Sequence, residues 1–105
     1  MSKSILLVGT YARVGLTSAA LGLYHALDRK GVKTGFFKPV MQYAEGQQSD
    51  VSYDLMAKYC RGNAEPLSPE TVQEALDSHS LDELMEELLR RYEDARGDAD
   101  VVILE

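Results

Sequence analysis

The sequence predicts an α/β fold built around a parallel sheet, and three observations support this prediction. Three short apolar runs, 4–8, 34–40 and 101–105, are separated by segments whose apolar residues recur at helical spacing. The first run has no polar alternation, which is typical of a strand buried on both faces of a parallel sheet. The resulting order is β-α-β-α-α-α-β, and strands that alternate with helices in this way are typical of α/β domains.

The first half of the chain holds two predicted strands and the helix between them. The first strand covers 3–9, and the first helix covers 17–30 and ends at Gly31. The buried stripe of this helix is predicted to consist of Ala20, Leu23, Tyr24 and Leu27. The second strand covers 34–40, with Pro39 near its end because proline cannot donate a hydrogen bond to a neighbouring strand.

The second half is predicted to be mainly helical until its last residues. A polar loop precedes a helix over 50–60, and Ser68 with Pro69 marks the start of the next helix. The run from Ser80 to Glu83 fits a capping box. The helix that it opens carries one predicted buried face, formed by Leu81, Leu84, Met85, Leu88, Leu89 and Tyr92. A final buried strand ends at Glu105.

Length and composition limit the classes of protein to consider. A chain of 105 residues forms one domain, 1–105, with no second domain. A formal net charge of −6 argues against nucleic acid and anionic membranes as partners. One cysteine suits the reducing cytoplasm, and no apolar run approaches the roughly 20 residues that span a bilayer. We therefore expect a soluble cytoplasmic domain.

The segment between the first strand and the first helix has the form of a phosphate-binding loop. Successive backbone N–H groups and the start of a helix would point at one anion there. The candidate contacts to a nucleotide in this segment are Gly9, Thr10, Arg13, Val14, Gly15, Leu16, Thr17 and Ser18. Such loops usually carry a lysine immediately before the threonine, and that position is Leu16 here. Arg13 either restores some of the missing positive charge or is an exposed loop residue.

Four polar side chains outside or at the end of this loop are further candidates. Thr17 is either a hydroxyl ligand of Mg²⁺ or the N-cap of the first helix. Glu105 ends a strand, where an acid would reach a metal or its water. Asp50 is either a helix cap or a metal ligand. Lys38 closes the second strand beside Pro39, and its ammonium either faces the crevice at the strand ends or is solvated.

The strand order follows from the comparison with phosphate-loop folds. In those folds the strand with the second acidic motif lies beside the first strand, so the predicted order is 2-3-1 in a P-loop NTPase-like three-layer αβα domain. The first strand then forms an exposed apolar edge, which is a liability in solution. We expect that the chain is the first half of a larger domain, or that a homo-oligomer covers this edge.

The chain resembles the N-terminal domain of bacterial phosphate acetyltransferases of the long type. The matching residues are Gly9-Thr10 and Gly15-Leu16-Thr17-Ser18 in the loop, Phe37-Lys38-Pro39-Val40, Ala64-Glu65-Pro66-Leu67-Ser68, and Asp100-Val101-Val102-Ile103-Leu104-Glu105. The leucine of the loop is itself common in that family. The resemblance implies that acetyl-CoA and phosphate are converted to acetyl phosphate and CoA by a separate domain that is absent here. It also implies a regulatory or assembly role for this part.

The chain also resembles dethiobiotin synthetase, an ATP-dependent ligase. The shared residues include the wide loop, Lys38-Pro39-Val40 and the Ser49-Asp50 pair. This resemblance implies that Thr17, Asp50 and Glu105 bind Mg²⁺ and that Lys38 handles substrate and phosphate. Leu16 departs from the pattern, so binding or turnover of ATP, or of another nucleotide, is expected to be weak or lost.

Three hypotheses for function follow. The first is a degenerate nucleotide-binding, regulatory or assembly domain of a phosphate acetyltransferase-like protein, inactive alone, with a nucleotide or other small molecule as its effector. The second is an active ligase of the dethiobiotin synthetase type. The third is an interaction module whose loop binds nothing.

Overall fold

The computed structural model describes residues 3–9, 15–42, 50–60 and 62–105. Seven elements follow in the predicted order, and their bounds lie within three residues of the predicted ones. They are β1 (Lys3–Leu6), α1 (Leu16–Arg29), β2 (Thr34–Phe37), α2 (Val51–Tyr59), α3 (Pro69–Asp77), α4 (Leu81–Arg96) and β3 (Val101–Leu104). No helix in these ranges is long and apolar enough to cross a bilayer.

The three strands form one parallel sheet in the order β1-β3-β2, which confirms the predicted order. Val101 of β3 is the register partner of Lys3 in β1 and of Thr34 in β2. The three strands therefore end at the same edge of the sheet, and residues that follow them are brought together there.

The two faces of the sheet are packed by different helices, giving three layers. Along β3, Ile103 belongs to a core cluster with residues of α1 and α2, while Val102 packs with Ala95 of α4. Neighbouring strand residues point to opposite faces, so β3 contributes to both clusters. Phe36, Met56, Val102 and Ile103 are the largest fully buried side chains. Burying each one stabilises the fold by about 1.5–3 kcal/mol.

Two glycines allow α4 to lie very close to the sheet. A Cβ on Gly35 of β2 would lie 2.6 Å from the carbonyl oxygen of Ala95, and one on Gly62 would lie 2.4 Å from the same atom. The backbone of Gly62 accepts a hydrogen bond from the N–H of Phe36 at 2.7 Å. Any side chain at either glycine would therefore collide with backbone rather than with a flexible group.

The prediction that the first strand is buried on both faces is wrong. Leu6 is 66% exposed and Val8 is 74% exposed. The reason is that β1 lies at the sheet edge, while α1 and α4 pack mainly on β2 and β3. The predicted apolar edge is confirmed by the same exposure.

Two predictions about the later helices also need correction. Ser68 caps α3 by accepting a hydrogen bond from the N–H of Thr71, as predicted, but the capping box at Ser80 does not form. The Ser80 hydroxyl lies 2.9 Å from that of Ser78 instead. Only part of the predicted buried face of α4 is covered, because the apolar stripe is wider than the surface that packs on the sheet. Leu84 is buried, whereas Leu81, Met85 and Leu89 are exposed.

Candidate functional site

The candidate site lies at the carboxyl ends of the three strands. Glu105 directly follows β3, and its N–H donates to the carbonyl of Phe37, the last residue of β2, at 3.1 Å. On the other side, the N–H of Leu7 donates to the carbonyl of Leu104 at 2.9 Å. These two hydrogen bonds align the carboxyl ends of the three strands at the same edge of the sheet. They also fix the backbone position of Glu105, from which its carboxylate extends.

Two of the three predicted metal ligands meet through a serine. The hydroxyl of Thr17, in the first turn of α1, donates to Oγ of Ser52 at 2.8 Å. Ser52 in turn lies 3.0 Å and 2.9 Å from the two carboxylate oxygens of Glu105. All three side chains are half-buried. The structure thus joins α1, α2 and the end of β3 through one chain of oxygen atoms.

Ser52 is a site residue that the sequence did not reveal. It is the second residue of α2, two positions after Asp50, and no motif distinguishes it from other serines. Only the packing of α2 beside α1 brings its hydroxyl between Thr17 and Glu105.

Lys38 and Asp50 form a buried ion pair beside this cluster. Their Nζ and Oδ2 atoms are 2.8 Å apart, and the side chains are 5% and 2% exposed. Asp50 also accepts from the backbone N–H groups of Gln42, at 2.8 Å, and Tyr53, at 3.0 Å. Burial raises the pKa of the Asp50 carboxyl. The hydrogen bonds from Lys38, Gln42 and Tyr53 and the charge of Lys38 outweigh burial, so this pKa is lowered overall.

The structure bears on the alternatives left open for the two members of this ion pair. Asp50 is the N-cap of α2, since its side chain accepts from the N–H of Tyr53. Lys38 is buried and paired, so the alternative of a solvated lysine is wrong. Binding of a metal by Asp50 and of phosphate by Lys38 stays a prediction.

The described end of the loop turns into α1 at Gly15. Gly15 is the N-cap of α1 with φ of 81°, in the left-handed region that glycine adopts without strain. The alternative that Thr17 caps the helix is wrong, because the helix begins at Leu16 and the Thr17 hydroxyl bonds to Ser52. Leu16 is half-buried and Ser18 is exposed, while Gly9 is half-buried on the other side of the loop. Thr10, Arg13 and Val14 lie outside the described residues.

The chemical character of the cluster follows from its atoms. Within the described ranges, no group of three or more His, Cys, Asp or Glu side chains could hold a metal ion. The cluster instead offers two hydroxyl oxygens and one carboxylate. An all-oxygen set suits Mg²⁺, which keeps several waters and relies on phosphate oxygens for further ligands. The residues present therefore fit a nucleotide-bound Mg²⁺ better than a free ion.

A separate cavity of about 410 Å³ opens at the other end of the sheet. Its lining includes Lys33, before β2, and Gly97 with Asp98, before β3. The charged pair Lys33–Asp98 is 3.1 Å apart but largely exposed to water. This cavity is remote from the strand ends where the oxygen cluster lies.

Comparison with known proteins gives a match over nearly the whole chain. The sequence profile of a family described as an AAA domain matches residues 3–105. The match therefore includes the loop, Lys38, Glu105 and the four helices of the described residues.

Curated bacterial relatives carry one shared name. Phosphate acetyltransferase from Salmonella typhimurium is 39% identical across the whole chain, and the alignment covers 15% of that protein. The Escherichia coli phosphate acetyltransferase is likewise 39% identical, with the same coverage. The Pseudomonas aeruginosa phosphate acetyltransferase is 44% identical over 88% of the chain and 13% of that protein. The chain thus spans about one seventh of the length of these relatives and matches their N-terminal region.

Proposed function

The chain belongs to the AAA domain family, and from this premise we propose that it is a degenerate nucleotide-binding module that regulates or assembles a phosphate acetyltransferase-like protein. The observation that carries this proposal is the cluster of Thr17, Ser52 and Glu105 beside the turn at Gly15. A helix start, a hydroxyl and an acid at the strand ends are the parts that hold a nucleotide phosphate and its Mg²⁺.

The proposed residue roles follow from position. The loop from Gly9 to Ser18 would hold the phosphates through its backbone N–H groups, and Thr17 and Glu105 would supply oxygen ligands to Mg²⁺. When bound, Mg²⁺ would neutralise phosphate charge. The ammonium of Lys38 lies at the same edge of the sheet, held by Asp50. These contacts would involve the phosphates and Mg²⁺ of a nucleotide such as ATP, so they carry no preference for a particular base.

Leu16 is the reason to call the module degenerate. The lysine expected at that position would make charge-assisted hydrogen bonds to phosphate, each worth about 1.5–3 kcal/mol. Its loss corresponds to roughly 10- to 150-fold weaker binding. Hydrolysis would suffer further, because a cation stabilises the charge that develops in the transition state. Sensing a nucleotide tolerates such losses better than turnover does.

The link to the acetyltransferase rests on the relatives and on the exposed edge. Because the chain covers about 15% of those proteins, acetyl transfer would belong to another part of the parent. Leu6 at the end of β1 and Val8 just after it are exposed, and they suit a surface that the rest of the parent, or a second copy of the chain, covers. A cytoplasmic location is part of the same proposal.

The interaction-module alternative also has a specific observation in its favour. Leu81, Met85 and Leu89 are exposed along α4, and Leu6 and Val8 are exposed at β1. Such surfaces suit protein contacts without any bound nucleotide. The ligase alternative draws on Lys38, but the ammonium of that residue is already bound to Asp50.

The proposal is tested by isothermal titration of MgATP into three forms of the chain. The wild type is expected to bind weakly, and Leu16→Lys to bind at least tenfold more tightly. Leu89→Lys is the matched control, because it adds the same charge at an exposed leucine on α4 and should leave affinity unchanged. Absence of binding at millimolar MgATP in both the wild type and Leu16→Lys would favour the interaction module.

A further inference from the structure

We propose that Ser52, and not Asp50, supplies the third protein oxygen of the cation site, while Asp50 serves to fix Lys38. This inference rests on the proposed nucleotide-binding function and deepens it. It assigns a role to Ser52 that neither the loop pattern nor the family resemblance gives, and it replaces one of the three ligands that the resemblance implies.

The position of Ser52 between the other two ligands is the first argument. Its Oγ atom lies 2.8 Å from Oγ1 of Thr17 and about 3 Å from each carboxylate oxygen of Glu105. A hydroxyl has one proton and two lone pairs. Ser52 accepts the proton of Thr17 and gives its own to Glu105. Its second lone pair bonds to no side chain or backbone group in the described part of the chain, so it is free for a cation.

The state of Asp50 is the second argument. Three donors already surround its carboxylate, namely the ammonium of Lys38 and the backbone N–H groups of Gln42 and Tyr53. The side chain is 2% exposed. A cation bound to Asp50 would lie beside the ammonium of Lys38 and would compete with the N–H of Tyr53, which the side chain accepts as the helix cap. Both consequences oppose the binding of a cation by Asp50, and neither applies at Ser52.

The charge of the resulting site leads to a measurable property. Thr17 and Ser52 are neutral, so among these three described residues only Glu105 brings a charge to the cation. One carboxylate holds a divalent ion weakly in water, and the remaining ligands must come from phosphate oxygens. Metal binding should therefore depend on nucleotide, and removing the Ser52 oxygen should weaken the metal complex of the nucleotide more than the metal-free nucleotide.

The test measures Mn²⁺ binding by electron paramagnetic resonance and ADP binding by calorimetry on the 105-residue chain. Mn²⁺ replaces Mg²⁺ as a visible ion with the same preference for oxygen. The quantity compared is the ratio of ADP affinities with and without Mn²⁺. Ser52→Ala should lower this ratio at least tenfold, while metal-free ADP affinity changes less than twofold. Ser80→Ala is the control, since its hydroxyl makes no cap at α4.

A double variant keeps the test decisive if single changes at Asp50 disturb folding. Lys38→Met with Asp50→Asn removes both charges of the buried pair together, and circular dichroism checks that it folds. Because Lys38 belongs to the proposed nucleotide site, this variant should bind ADP more weakly both with and without Mn²⁺. The proposal expects the ratio of these two affinities, and not the affinities themselves, to match that of the wild type. The assignment of Ser52 is overturned, without the proposed function, if Ser52→Ala leaves the ratio of ADP affinities unchanged or if the double variant lowers that ratio. A wild type that binds neither ADP nor its Mn²⁺ complex overturns the proposed function and this inference with it.

Discussion

Replacing the buried Lys38 by methionine should destabilise the chain more than a single substitution of any exposed charged residue. The substitution keeps an unbranched side chain that is one atom shorter and removes the charge. The Asp50 carboxylate, which is 2% exposed, then lacks its counter-ion. Breaking a buried ion pair costs about 3–5 kcal/mol. Asp50 keeps two backbone donors, from Gln42 and Tyr53, so we expect the lower end of this range.

The size of the effect can be carried through to a melting temperature. With about 2 cal/mol/K of unfolding entropy per residue, a chain of this size shifts by roughly 4–5 °C for each kcal/mol, so a loss near 3 kcal/mol lowers Tm by roughly 13 °C. Thermal unfolding at pH 7, followed by circular dichroism, measures this shift. Asp50→Asn together with Lys38→Met should recover part of the loss, since no unpaired charge is then buried.

The matched control is the exposed ion pair between Lys33 and Asp98. Its atoms are 3.1 Å apart, similar to the buried pair, but the side chains are 65% and 88% exposed. Water and salt screen such a pair, so Lys33→Met should change Tm little. Equal shifts for Lys38→Met and Lys33→Met would refute the argument, because burial would then have no energetic consequence.

Three further predictions concern stability. First, the lowered pKa of Asp50 stabilises the fold above the unfolded value of about 3.9, and this stability is lost as pH falls through the folded value. Asp50→Asn should therefore flatten the pH dependence of the free energy of unfolding below about pH 4, as measured by urea unfolding. An unchanged pH dependence would mean that other groups dominate it. Second, Gly35→Ala should cost at least about 1–3 kcal/mol because its Cβ meets a backbone carbonyl, whereas Gly22→Ala in α1 meets no atom within 4 Å and should stabilise by about 0.4–1 kcal/mol; similar urea midpoints for the two would contradict this. Third, Ser68→Ala should cost about 1 kcal/mol through loss of the α3 cap, while Ser80→Ala should be nearly neutral in the same assay.

Much of the fold could be predicted from the sequence, because the apolar runs that mark the strands agree with the strand order known for phosphate-loop folds. The apolar runs predict three strands, and the acid after the last run predicts that β3 lies beside β1. The cap at Ser68 follows from the residues next to it. Burial of β1 was not predictable in the same way. Its apolar residues are the type that a parallel sheet buries, but the helices of the described residues leave Leu6 and Val8 largely exposed.

The sequence predicted only those residues of the site whose place follows from the ends of the predicted strands and the loop. Thr17 follows the turn at Gly15 and Glu105 follows the end of β3, so the backbone places both residues at the carboxyl edge of the sheet. Ser52 and the pairing of Lys38 with Asp50 depend on how α2 packs against α1 and the sheet, and tertiary packing of that kind leaves no periodic mark in the sequence. The capping box failed for a local reason, because the Ser80 hydroxyl pairs with the Ser78 hydroxyl two residues earlier and caps no N–H of α4.

The most direct test of the nucleotide site is to map bound MgADP on the chain by NMR. An amide spectrum recorded during a titration reports each residue separately. The account predicts that the largest shifts fall on the backbone of Gly15 to Ser18, on Ser52 and on Glu105, at the carboxyl ends of the strands. Shifts confined to Lys33, Gly97 and Asp98 at the opposite cavity, or no shifts at millimolar MgADP, would contradict the central claim that the strand ends hold a nucleotide.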